Sequence, residues 1–161
     1  MGHSRGFTLV ELMITIAILA IVVGIAAPSF SSLIERNRLT STTNQLLGFL
    51  TEARVEAIKR SAVVRVEQAT TGTWSGGVLA WIDENGNGSK DADEEFLYSA
   101  ELPSSFTLSL SGGTDIGFRP TGLSRATTTL TLQLCPGAGK PGRGIEIPTG
   151  GRVRSTEITC S

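Results

Sequence analysis

One run limits this chain more than any other: FTLVELMITIAILAIVVGIAA, residues 7–27, in which Glu11 is the only charge. As a helix of about 21 residues it would span roughly 30 Å, the hydrocarbon thickness of a bilayer. A secretory signal peptide also has such a run behind a basic leader, here carrying Arg5. A plain single-pass anchor is the other simple explanation. No A-x-A site closes the run, which continues into helix-forming sequence. Neither explanation accounts for Glu11. An acid at the centre of a membrane helix costs roughly 2.5–3.5 kcal/mol on insertion scales, so it points to function. A buried carboxylate is tolerable when paired and intolerable alone.

Beyond the run, Gly24 and Pro28 are positions where the helix can kink. Leu39, Leu46, Leu50, Ala53 and Ala57 then recur at helical spacing, with Leu47 and Ile58 beside them. The charges Glu35, Arg36, Arg38, Glu52, Arg54, Glu56, Lys59 and Arg60 fall mostly elsewhere, and Arg54 and Glu56 read as solvated helix charges. This is an amphipathic helix that lays one stripe on a globular domain. After Arg60 the period changes to two. Strands are expected over residues 62–68, 77–83, 95–101, 106–111, 116–119, 129–135, 144–148 and 152–158, separated by Gly-rich breaks. The expected fold is α+β: a long N-terminal helix packed on antiparallel β-sheet. Its parts are a leader (1–6), a transmembrane half (7–28), an amphipathic half (29–60) and a β-domain (61–161).

The residue inventory argues against an enzyme. The only histidine, His3, lies in the leader, so a chain from which that leader is cut has none for a triad or the usual zinc sites, while a Ser–Lys or paired-carboxylate enzyme stays open on paper. No P-loop or dinucleotide fingerprint occurs. The acids are bunched in one polar loop, and no cofactor is required by the sequence. That loop matches the calcium pattern D-x-[DN]-x-[DN]-G-x5-E from Asp83 to Glu94. Its ligands would be Asp83, Asn85, Asn87, the Ser89 carbonyl, Asp91 and Glu94, with Gly88 at the sharp turn. Strand-like flanks leave a second explanation open, an Asn-Gly hairpin turn without metal.

The C-terminal segment is basic. From Cys135 onward it holds four cations, Lys140, Arg143, Arg152 and Arg154, against Glu146 and Glu157. Arg152 and Arg154 would share one face of a strand, with Val153 turned to the core. Guanidinium groups so placed suit phosphate. A solvated strand edge or a subunit contact is the alternative.

Gly6-Phe7-Thr8-Leu9-Val10-Glu11-Leu12 resembles the class III signal of type IV pilins and type II secretion pseudopilins. The resemblance implies cleavage between Gly6 and Phe7 by prepilin peptidase and N-methylation of Phe7. It makes Glu11 the acid that pairs with the Phe7 amine of a neighbouring subunit. Pro28 matches the family's proline. The implied location is the bacterial inner membrane, single-pass with the C-terminal domain in the periplasm, and then a cell-surface pilus among other pilin subunits.

Residues 53–60, ARVEAIKR, resemble the helix end of the GspH/FimT/FimU branch, and residues 118–122, FRPTG, resemble a turn of that branch. Residues 151–154, GRVR, resemble the DNA-binding motif of its FimT members. That implies a minor pilin that takes up extracellular DNA for natural transformation, with Arg152 and Arg154 on phosphates. Lys140 and Arg143 join by charge and proximity in sequence. Binding would follow the backbone, without sequence preference, and weaken with salt. Two other jobs fit the same branch: priming pilus assembly at the tip, or service as a minor pseudopilin of type II secretion. In an exported domain, Cys135 and Cys160 would form a disulfide rather than remain free thiols.

Overall fold

The computed structural model describes residues 6–92 and 94–161; the side chains of residues 26–29, 96, 98 and 99 lie outside that description. Most of the expected leader, residues 1–5, lies outside it too.

Helix α1 runs from Leu9 to Arg60 and continues through Gly24 and Pro28. Its start is a capping box. The Glu11 amide donates to Thr8 Oγ1 (3.2 Å), and Glu11 Oε2 accepts from the Thr8 amide (3.3 Å). Its end is a Schellman turn. The Ser61 amide bonds the Ile58 carbonyl and the Ala62 amide bonds the Ala57 carbonyl, with Ser61 at φ 52°.

Contacts divide the chain into two compact units between Arg38 and Leu39. In the first unit, the helix exposes its apolar side chains from Leu9 to Ile25. Among the described residues, α1 is the one helix long and apolar enough to cross a membrane. In the second unit, Leu39, Leu46, Phe49, Leu50, Ala53 and Ala57 are buried in one cluster with the strands. The buried stripe thus begins at Leu39, and residues 30–34 and 36–38 are exposed.

The strands are β1 (Val63–Thr70), β2 (Thr73–Asp83), β3 (Phe96–Ala100), β4 (Thr107–Ser111), β5 (Ile116–Phe118), β6 (Leu130–Cys135), β7 (Pro141–Ile147) and β8 (Arg154–Thr159). They form two antiparallel four-stranded sheets, ordered β3-β2-β1-β5 and β4-β6-β7-β8. Alternation is clear in β6, where Leu130, Leu132 and Leu134 are buried and Thr131 and Gln133 are partly exposed.

Several expected boundaries move: β2 begins at Thr73 rather than residue 77, and two more shift in the basic segment. Strand β7 begins at Pro141 rather than residue 144, because the Lys140 carbonyl accepts from the Cys160 amide and draws the strand's start against the chain end. Proline suits a strand's first residue. Strand β8 begins at Arg154, so Arg152 precedes it. The Gly151 amide bonds the Pro148 carbonyl in a turn, which holds this segment off the ladder until Arg154.

Candidate functional site

Three places carry the predicted site residues. The first is the start of α1. Gly6 and Phe7 are exposed, Phe7 at 82 %. Thr8 donates to Glu11 Oε2 from both its amide and its hydroxyl, at 3.3 and 3.4 Å. Glu11 therefore has a local role besides the one that its place in the apolar run suggests. It caps the helix amino end, where the helix dipole favours an anion. The T-x-x-E spacing ahead of an apolar run is the signal that could have found it.

The second is the basic C-terminal region, which does not form the single patch expected. In the β7–β8 register, Arg143 stands opposite Glu157 and Glu146 opposite Arg154. Residues 143 and 146 differ in parity, so the two pairs project from opposite faces of the sheet. Arg143 pairs with Glu157 at 3.1 Å and Arg154 with Glu146 at 2.7 Å. Both pairs are partly exposed, of the kind worth about 0–1 kcal/mol. Lys140 is exposed on the loop ahead of β7. Arg152 is exposed and its side chain makes no hydrogen bond or ion pair among the described residues. Val153 is partly buried against the core, as expected.

The Gly151-Arg152 segment is fixed from below. Gly151 has φ 76° and lies so close to Gly122 that a β-carbon would overlap the Gly122 carbonyl oxygen. The same carbonyl accepts from Arg54 Nε at 2.7 Å. Arg54 is thus a tether between helix and turn rather than a solvated charge. Its partner lies 68 residues away in sequence, beyond any helical periodicity. Glu56, by contrast, stays on the helix surface, where it pairs with Lys59 and Arg60.

The third place is the polar loop. Asn85 Oδ1 accepts from the Asn87 amide (2.8 Å), and Asn87 Oδ1 accepts from the Ser89 amide (2.7 Å). Both side-chain amides donate to Asp91 Oδ2, at 2.7 and 2.8 Å. Glu94 accepts the amides of Glu84 and Asp91. Asp83 has a fully buried side chain whose Oδ2 is bonded by Arg65 Nε. Burial pushes the Asp83 carboxyl up, but the Arg65 bond and charge and the nearby Gly86 and Gly88 amides outweigh it and hold it below the usual value. Among the described residues, no group of three or more His, Cys, Asp or Glu is arranged to hold a metal ion.

Cys135 and Cys160 form a disulfide, with 5.8 Å between their Cα atoms. Gly142 lies beneath it, where a β-carbon would overlap Cys160 Sγ.

Residues 42–151 match the family described as type II transport protein GspH, and residues 1–27 match the prokaryotic N-terminal methylation motif. The chain is 33 % identical over 157 residues to the pilin-like protein PilA1 of Thermus thermophilus, covering 93 % of this chain and 97 % of that protein. It is 32 % identical over 71 residues to the type IV major alpha-pilin of Moraxella bovis, 44 % of this chain and 45 % of that one. In fold it resembles the crystal structure of the Pseudomonas aeruginosa type IV minor pilin FimU, with a TM-score of 0.60 at 21 % identity, over 76 % of this chain and 90 % of that one. The chain belongs to the GspH family of minor type IV pilins and pseudopilins, structural subunits that join a helix bearing the N-terminal methylation motif to a β-domain.

Proposed function

We propose that this subunit enters a type IV pilus through α1 and captures DNA at its C-terminal arginines. It is held in the inner membrane with the β-domain in the periplasm, cleaved after Gly6 by prepilin peptidase and methylated at Phe7. Glu11 then docks it into the filament. Only its Oε2 is engaged by Thr8, which leaves Oε1 to accept from the Phe7 amine of a neighbouring subunit. The Glu11→Ala variant is expected to insert in the membrane and to be depleted from sheared filaments. Normal incorporation would overturn the docking role.

The observation that carries DNA capture is Arg152, exposed and unengaged two residues from Arg154, whose glutamate partner is itself partly exposed. A phosphate can displace so weak a partner. The test is duplex binding across a salt series by the full chain in non-ionic detergent, beside Arg152→Ala/Arg154→Ala. Salt-sensitive binding that collapses in the variant supports capture. Absence of binding at low salt, or equal binding by the variant, rejects it.

A groove lined by Leu47, Thr51, Glu52, Val55, Val153 and Arg154 favours a second reading. Its largely apolar wall suits a neighbouring subunit, in keeping with a tip-assembly role in a pilus or in a secretion pseudopilus. Rejection of DNA binding leaves this reading in place.

A further inference from the structure

We infer that Arg119 and Arg152 together form a two-guanidinium clamp for a nucleic-acid backbone, an inference that rests on the DNA-capture reading. The two residues come from turns that are joined at more than one point. The Gly122 amide bonds the Arg119 carbonyl at 2.7 Å, and the Arg119 amide bonds the Leu123 carbonyl at 2.8 Å. The Gly151 amide closes the other turn on the Pro148 carbonyl at 2.8 Å. Between the turns, the Ser124 amide donates to the Thr149 carbonyl at 3.0 Å, and Gly151 lies directly against the Gly122 carbonyl. Arg54 holds that carbonyl to the helix.

Charge singles out the same pair. The second unit contains eight arginines. Six have side chains engaged within the chain: Arg54 on the Gly122 carbonyl, Arg60 on Glu56 and Glu95, Arg65 on Asp83 and Asp115, Arg125 on Asp115, Arg143 on Glu157 and Arg154 on Glu146. The other two, Arg119 and Arg152, are exposed without a side-chain partner among the described residues. Residues 119–123 and 148–152 contain no acid. Unengaged guanidinium groups on stitched turns keep their donors ready without first breaking an ion pair, and Arg is the side chain best shaped for phosphate. Phosphates recur about every 3.4 Å of axis along one strand, so adjacent arginines can meet successive groups. No aromatic residue lies in either turn, so the clamp reads backbone and not bases.

The test uses the full chain in non-ionic detergent with a fluorescent duplex oligonucleotide, titrated at several salt concentrations. Arg119→Ala and Arg152→Ala are each expected to weaken binding about tenfold and to lower the slope of log affinity against log salt by about 1. Lys59→Ala, on the helix surface beside Glu56, is expected to leave both unchanged. Arg119→Lys keeps the charge and is expected to keep the slope; it separates contact from folding damage, as do matched melting temperatures. If Arg119→Ala binds like the parent while Arg152→Ala is impaired, the clamp is wrong and DNA capture stands. Equal losses for Arg119→Lys and Arg119→Ala also overturn it. If the parent chain does not bind at low salt, DNA capture fails and the clamp with it.

Discussion

Arg54 Nε donates to the carbonyl of Gly122 at 2.7 Å, joining the last turns of α1 to the turn after β5. Gly122 is buried, so this carbonyl has no water to replace the bond. Arg54→Ala is expected to destabilise the β-domain by about 2 kcal/mol, the cost of leaving a buried acceptor unmet. Thermal or chaotrope denaturation of the full chain in detergent checks it; an unchanged midpoint would show the tether to be dispensable.

Gly151→Ala is expected to cost more than Gly150→Ala. At Gly151 both a positive φ of 76° and the Gly122 carbonyl stand against a β-carbon, whereas Gly150 has nothing within 4 Å. The left-handed backbone alone costs about 1–2 kcal/mol for an L residue. Comparable melting temperatures for the two variants would contradict the close approach.

Acid should weaken the fold through Asp83. Its carboxyl is held below the usual value by Arg65, despite burial. A depressed folded value means that the stabilisation is complete above about pH 4 and disappears as pH falls through that depressed value. The midpoint of unfolding should therefore be level near neutrality and drop below about pH 4. Asp83→Asn should lower stability at pH 7 by about 1–3 kcal/mol, since it removes a buried charged hydrogen bond and leaves Arg65 with the partly exposed Asp115 as its ion partner, and should flatten the acid limb. Glu56, also lowered by its bonds to Arg60 and Lys59, keeps a remnant of that limb in the variant.

Much of this architecture can be read from periodicity. The helical stripe at Leu39, Leu46, Leu50, Ala53 and Ala57 is buried throughout, and all eight expected strands occur, because period 3.6 and period 2 are local properties. Pairing is not local. Whether Arg143 and Arg154 share a face depends on the β7–β8 register, and one step of parity separates them. The tie from Arg54 to Gly122 likewise depends on which turn meets the helix. The Thr8–Glu11 cap is local and legible as T-x-x-E, although the apolar run around Glu11 points equally to lipid.

Reduction of the Cys135–Cys160 disulfide should lower stability by about 3 kcal/mol on the chain-entropy account, since the two cysteines are 25 residues apart. Because Cys160 also exchanges backbone hydrogen bonds with the segment before β7, β8 should be the first strand to lose amide-exchange protection on reduction. Loss of protection first in β1 or β2 would contradict this.

Calcium would have to compete with Arg65 for Asp83 and with Asn85 and Asn87 for Asp91. The expected shift in melting temperature at millimolar calcium is therefore no more than about 1 °C. A rise of several degrees, abolished by Asp83→Ala, would instead establish the loop as a calcium site.

The stitched turns also matter mechanically. Load placed on a ligand at Arg152 can leave the β7–β8 connection through the Ser124–Thr149 hydrogen bond, enter the turn at Gly122 and pass through the Arg54 side chain into α1. That route starts inside the loop closed by the disulfide and leaves it by hydrogen bonds rather than along β7 and β8. A subunit wired in this way shares a pull at Arg152 between its last two strands and its helix.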